Sequence, residues 1–145
     1  MLRAHGLPLV LLLATTRQAH AQESMTRLGA FMTPSGNIHC EQWELGAPHR
    51  VELRCDVLSA AEHPTVKRPK DCELDYGYAF MLRERKKAWL LCGGDTIADP
   101  SHAVLAYGET WRGTGVECTV TSHFLRCTNR DGRGFELSKR QQRLF

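Results

Sequence analysis

The chain has 145 residues, 24% of them charged, with a formal net charge of +3. That length suits one ordinary domain with a real core, and the near balance of charge gives no general reason to expect a nucleic-acid partner. It opens with Arg3, an apolar run from Leu7 to Ala14 and the small-residue site Ala19-His20-Ala21, the pattern of a signal peptide over residues 1–21.

A membrane anchor needs about 20 apolar residues. Thr15, Thr16 and Arg17 interrupt this run, so no transmembrane segment is expected after cleavage. The first cysteine is Cys40, so a lipid anchor at the cleavage site is not expected either. Cleavage removes Arg3 and Arg17 and no acid, leaving 17 basic against 16 acidic side chains. The implied location is secreted or periplasmic.

All six cysteines lie beyond that site, and an even set in an exported chain reads as three disulfides. In the chain-entropy picture each contributes roughly 3 kcal/mol. Residues 22–30 show no periodicity and read as a loose lead-in to a single domain over residues 31–145.

The stretch TPSGNIHC, Thr33 to Cys40, leads into the first hairpin. Setting Cys40 against Cys55 places Ile38 opposite Val57 and Gln42 opposite Leu53 on a mostly apolar face, because side chains alternate along a strand. The other face then pairs His39 with Asp56, Glu41 with Arg54 and Trp43 with Glu52. Gly46 and Pro48 supply the turn.

Residues 59–70, with Pro64 and Pro69, read as a surface connection. Residues 75–82 and 88–92 read as a central hairpin. Pairing Leu82 with Ala88 sets Cys92 across from Tyr78, so a Cys72–Cys92 bond, assigned by elimination, requires the chain before Tyr76 to fold back. Gly108, Gly113 and Gly115 bracket Trp111 in a loop that lacks the lysine of a phosphate-binding motif.

Three strands follow, at 116–120, 124–129 and 134–138. Cys118 faces Cys127, and a three-residue loop Arg130-Asp131-Gly132 with Gly132 left-handed sets Cys127 against Phe135. The letters GVEC and FLRC echo GNIHC and VELRC of the first hairpin. No segment shows a convincing helical stripe. The fold class is mainly β: a small antiparallel sandwich or barrel of hairpins stapled by three disulfides.

The spaced set TPSGNIHC, LRCDV, CGGDT, LAYG and CTNRDGRGFELSKR resembles an uncharacterised family of small exported bacterial proteins, a domain of unknown function with six cysteines. The family pattern has Gly at His39, Pro at Ala106 and His at Arg133. The resemblance implies export, disulfides and a β-rich domain, and no activity.

His39 with Asp56 is the best candidate acid–base pair, although a cross-strand surface pair has the same letters and no nucleophile completes it. His39, His49, His63, His102 and His123 lack metal-ligand spacing, so no metal or other cofactor is expected. Three basic clusters, Lys67-Arg68-Lys70, Arg83 to Lys87 and Lys139-Arg140-Arg143, read as solvated turns and a frayed tail, or as contacts for an anionic partner. The leading expectation is a non-enzymatic module binding a protein or an anionic envelope component, with His39, Trp43, Arg54, Asp56 and Trp111 as its surface. The alternative is a small hydrolase using His39 and Asp56.

Overall fold

The computed structural model describes residues 24–62 and 66–145. The signal-peptide segment lies outside them. The first sheet contains β1 (Met25–Met32), β2 (Ile38–Leu45), β3 (Arg50–Val57), β4 (Ala79–Arg83) and β5 (Trp89–Leu90), in that order, with the short helix α1 (Leu58–Glu62) after β3. The second contains β6 (Thr110–Gly113), β7 (Val116–Val120), β8 (Leu125–Asn129), β9 (Gly134–Leu137) and β10 (Gln142–Leu144), ordered β10-β9-β8-β7-β6. Every strand pair in both sheets is antiparallel. The architecture is thus a sandwich of two meanders.

Their apolar faces share one core. Phe31, Ile38, Leu53, Val57, Phe80 and Leu82 from the first sheet meet Val116, Val120, Leu125, Phe135 and Leu137 from the second. Phe80 and Phe135 stand 6.1 Å apart between ring centres, and Phe31 and Trp111 stand 5.2 Å apart. Such tilted pairs add to the gain from area burial.

The hairpin registers follow the pattern of the letters. Cys40 faces Cys55, Phe80 faces Leu90, Cys118 faces Cys127 and Cys127 faces Phe135. Gly132 has φ 68°, in the left-handed region that a three-residue loop demands. All six cysteines are bonded, as Cys40–Cys55, Cys72–Cys92 and Cys118–Cys127. The segment before Tyr76 does fold back to reach Cys92.

Four local expectations are corrected. Residues 25–30 of the lead-in belong to a strand: β1 begins at Met25 and pairs with β2 through a register shift between Arg27 and Gly29. The connection after β3 opens with α1. Trp111 lies in strand β6, paired with Cys118, rather than in a glycine loop. The basic tail is not frayed, because β10 pairs with β9.

Candidate functional site

The residues singled out on the outer face of β2 and β3 are covered. An irregular strap, residues 93–105, lies over them. Asp56 is 0% exposed; it receives two bonds from Arg54, at 2.8 and 3.0 Å, and one from the Ile97 backbone N–H at 3.0 Å. Arg54 also reaches Asp95, with Nη1 to Oδ1 at 3.1 Å and Nη2 to the carbonyl at 2.7 Å. Burial works against the Arg54 charge, but hydrogen bonds to Asp56 and Asp95 and their attraction outweigh it and raise its pKa. Tyr78 donates to the Gly93 and Asp95 carbonyls, and burial pushes its hydroxyl pKa up.

His39 is likewise buried, at 4% exposed, and does not bond Asp56 although the two are register partners. Its Nε2 meets the Gly36 carbonyl at 3.2 Å, and its Nδ1 accepts from the Asp99 N–H at 3.3 Å. The Nδ1 of His102 lies 3.3 Å from the same Nδ1, and His102 Nε2 is 3.0 Å from Glu41 Oε1. Carbonyl and carboxylate oxygens only accept, so both Nε2 atoms donate. Arg27 completes the group, 3.0 Å from Glu41. The expected Glu41–Arg54 pair is therefore replaced by two separate networks, each holding the strap.

The expected surface thus dissolves. Arg54, Asp56 and His39 are interior. Trp43 is half-buried, donating to Glu41 Oε2 at 2.9 Å, and Trp111 packs on Phe31 between the sheets. Much of the basic charge is also engaged: Arg83 lies on Glu52 and over the Trp89 ring, Arg85 on Asp131, and Arg143 on Glu136. Lys139 has no such partner among the described residues.

A different place collects accessible groups. At one end of the sandwich, three hairpin turns and the Ala106–Glu109 turn that carries Tyr107 converge around a cleft of about 220 Å3. The β1–β2 turn is closed by Thr33 N–H to the Ile38 carbonyl at 2.9 Å, with Thr33 Oγ1 accepting from Ile38 N–H at 3.2 Å. Asn37 anchors it to α1, its Oδ1 accepting from Ser59 N–H at 3.0 Å. In the β7–β8 turn, Thr121 Oγ1 accepts from the backbone N–H groups of His123 and Phe124, at 3.2 and 3.1 Å. In the β9–β10 turn, Ser138 Oγ accepts from Gln141 N–H at 3.0 Å.

The hydroxyls are thus spent on fixing the turns, and the rim is left with other groups. The floor is apolar: Ile38, Val120, Leu125 and Leu137. Tyr107 and Phe124 stand at the rim, 56% and 37% exposed. Among the described residues, nothing bonds the Asn37 amide nitrogen, the Tyr107 hydroxyl, His123 Nε2 or the Lys139 ammonium. No carboxylate lines this cleft.

A larger hollow of about 340 Å3 lies at Arg112, Glu117, Asn129 and Arg130. Its cations are already neutralised, Arg112 by Glu117 and Arg130 by Glu84, each at 3.0 Å. The smaller cleft is therefore the better candidate site.

Residues 7–145 match the family of unknown function DUF6636. The chain belongs to that family. No curated protein and no solved structure matches this DUF6636 protein. Among its described residues, no group of three or more His, Cys, Asp or Glu could hold a metal ion, and no helix is long and apolar enough to cross a membrane.

Sequence reasoning picked out the TPSGNI turn as architecture, passed over Tyr107, weighed His123 only as a metal ligand and placed Phe124 at the start of a strand. The available signal was an aromatic in each of two turn segments, AYGE and TSHF, where nothing apolar is needed for a core.

Proposed function

We propose that this DUF6636 protein is an exported, non-enzymatic binding module, secreted or periplasmic, and that the cleft at the TPSGNI turn seats its ligand. The observation that carries the reading is the combination of an apolar floor, two exposed aromatic rings, three unspent donors on Lys139, Asn37 and Tyr107, and the unbonded His123 Nε2. Pockets of this build fix a ligand by a few converging polar groups over apolar surface. An anionic envelope component or an acidic face of a protein fits the donor set. The hydrolase alternative has less support, because His39 and Asp56 are sealed from solvent and spend their polar atoms on the strap.

The test is affinity capture from envelope and medium fractions at low and high salt, using the wild type and the variants Tyr107→Ala, Lys139→Glu and Arg112→Ala. Both cleft variants should lose the partner, and Arg112→Ala should retain it. Capture that survives Tyr107→Ala and Lys139→Glu overturns the reading.

A further inference from the structure

We infer that the ligand of this cleft is an acidic sugar residue within a glycan chain. The inference rests on the binding-module reading and names its ligand class. Three observations point the same way.

The first is the donor set. Lys139, the Asn37 amide nitrogen and the Tyr107 hydroxyl offer N–H or O–H groups, His123 adds an unbonded Nε2, and the cleft presents no carboxylate. Such a rim matches an oxygen-rich ligand carrying negative charge, because an ammonium and an amide NH2 donate and cannot accept, and the Asn37 carbonyl oxygen is already taken by Ser59 N–H. The second is the pair of rings. Tyr107 and Phe124 expose apolar surface beside those donors, so the ligand has an apolar face as well as oxygens. A bare phosphate or sulfate has no such face. A sugar ring, with C–H groups on its faces and hydroxyls at its edge, has both.

The third is shape. At about 220 Å3 the cleft is below the roughly 300–1,000 Å3 of pockets for drug-sized ligands. It adjoins a second hollow of about 190 Å3, and the two share His123, Phe124 and Ser138. Two small seats divided by one aromatic ridge suit successive residues of a chain. In the second seat Arg143 lies 2.5 Å from Glu136, so the acid there is already neutralised.

The experiment is an NMR titration of the oxidised, isotope-labelled protein with trigalacturonate, maltotriose, tetraglutamate and sodium sulfate at matched ionic strength. Trigalacturonate should shift the amides of Asn37, Tyr107, His123, Phe124 and Lys139, at least fivefold more tightly than maltotriose, while sulfate and tetraglutamate leave them unmoved. Tyr107→Ala and Lys139→Ala should each weaken it at least fivefold, with the remaining amide spectrum unchanged to show the fold intact. Tetraglutamate or sulfate acting equally well in the cleft overturns the sugar assignment while leaving a binding site in place. Trigalacturonate that moves none of these amides overturns it too, and the binding-module reading is then decided separately by whether capture depends on Tyr107 and Lys139.

Discussion

Gln42 of β2 and Thr114 of the β6–β7 turn exchange two hydrogen bonds across the sandwich, Nε2 to the Thr114 carbonyl and Thr114 N–H to Oε1, both at 2.9 Å. Gln42 is 1% exposed, the one long polar side chain among the largest fully buried ones. Gln42→Leu removes both bonds, which stabilise by about 1 kcal/mol each, and the exposed Thr114 recovers part of the loss from water. A loss of about 1–2 kcal/mol is expected from denaturant unfolding. Gln42→Glu should cost more, since it buries a charge and turns a donor into an acceptor facing a carbonyl. A Glu variant as stable as the Leu variant would contradict this account of the joint.

The three bridges should differ in consequence. Cys40, Cys55, Cys118 and Cys127 are each 0% exposed, whereas Cys92 is at the surface. Replacing Cys118 and Cys127 together by Ser should lower global stability by about 2–5 kcal/mol. Replacing Cys72 and Cys92 by Ser should mainly release residues 66–77, which have few other anchors, among them Gly93 N–H to the Asp75 carbonyl at 3.1 Å. Limited proteolysis should then cut near Lys70 while both sheets persist by circular dichroism. Mild reductant should open Cys72–Cys92 first, because exchange needs access to the sulfur.

Acid should loosen a clasp between the sheets. The Asp131 carboxylate accepts from the Lys86 N–H at 3.0 Å and from Arg85 at 2.8 Å, and these bonds, the backbone one foremost, hold its pKa below the ordinary carboxylate range. Glu136 is lowered similarly, by Arg143 first and then Arg126. A depressed carboxylate binds fewer protons folded than unfolded. Its contribution is therefore complete above the unfolded value of about 4 and is lost as pH falls through the lower folded value. The unfolding midpoint should drop with pH in that window, and more shallowly in Asp131→Asn with Glu136→Gln. Parallel curves for wild type and double variant would remove these groups from the explanation.

Two glycines of the β8–β9 hairpin should respond unequally to alanine. A Cβ on Gly134 would lie 1.8 Å from the Cys127 carbonyl oxygen, a backbone atom that cannot turn aside. Gly134→Ala should cost about 3 kcal/mol or more. A Cβ on Gly132 meets nothing within 4 Å and carries only the left-handed strain, about 1–2 kcal/mol. Thermal unfolding of the two variants gives the order directly.

Much of the pairing was legible because a buried cysteine declares its face, and period-two alternation then sets the neighbours. What covers a face is not written in that period. The strap reaches His39 from Asp99 and Asp56 from Ile97 through irregular backbone, so the letters suggested a His39–Asp56 contact that longer-range partners displace. Strand β1 was missed for a local reason: its register shifts between Arg27 and Gly29, which breaks the alternation that would have revealed it. Trp111 looked like a loop residue because of its glycines, yet a Cβ at Gly113 would come within 2.3 Å of the Trp111 ring and 2.5 Å of Gln42 Oε1. The glycine makes room for the tryptophan. The candidate cleft was legible only in part, since the TPSGNI turn is continuous in sequence while the turns that complete it lie far along the chain.

The cysteines bond in the order in which they are made: the first with the second, the third with the fourth, the fifth with the sixth. Each bridge can close as soon as its second cysteine emerges, without waiting for the rest of the chain. No native link has to be broken to make a later one, so correct oxidation requires no reshuffling. No bridge spans residues 93–117 either. A single cut in the strap would therefore leave two separate polypeptides, each still cross-linked within itself, held to one another by packing, hydrogen bonds and ion pairs such as Arg85–Asp131 and Arg130–Glu84, with no covalent link.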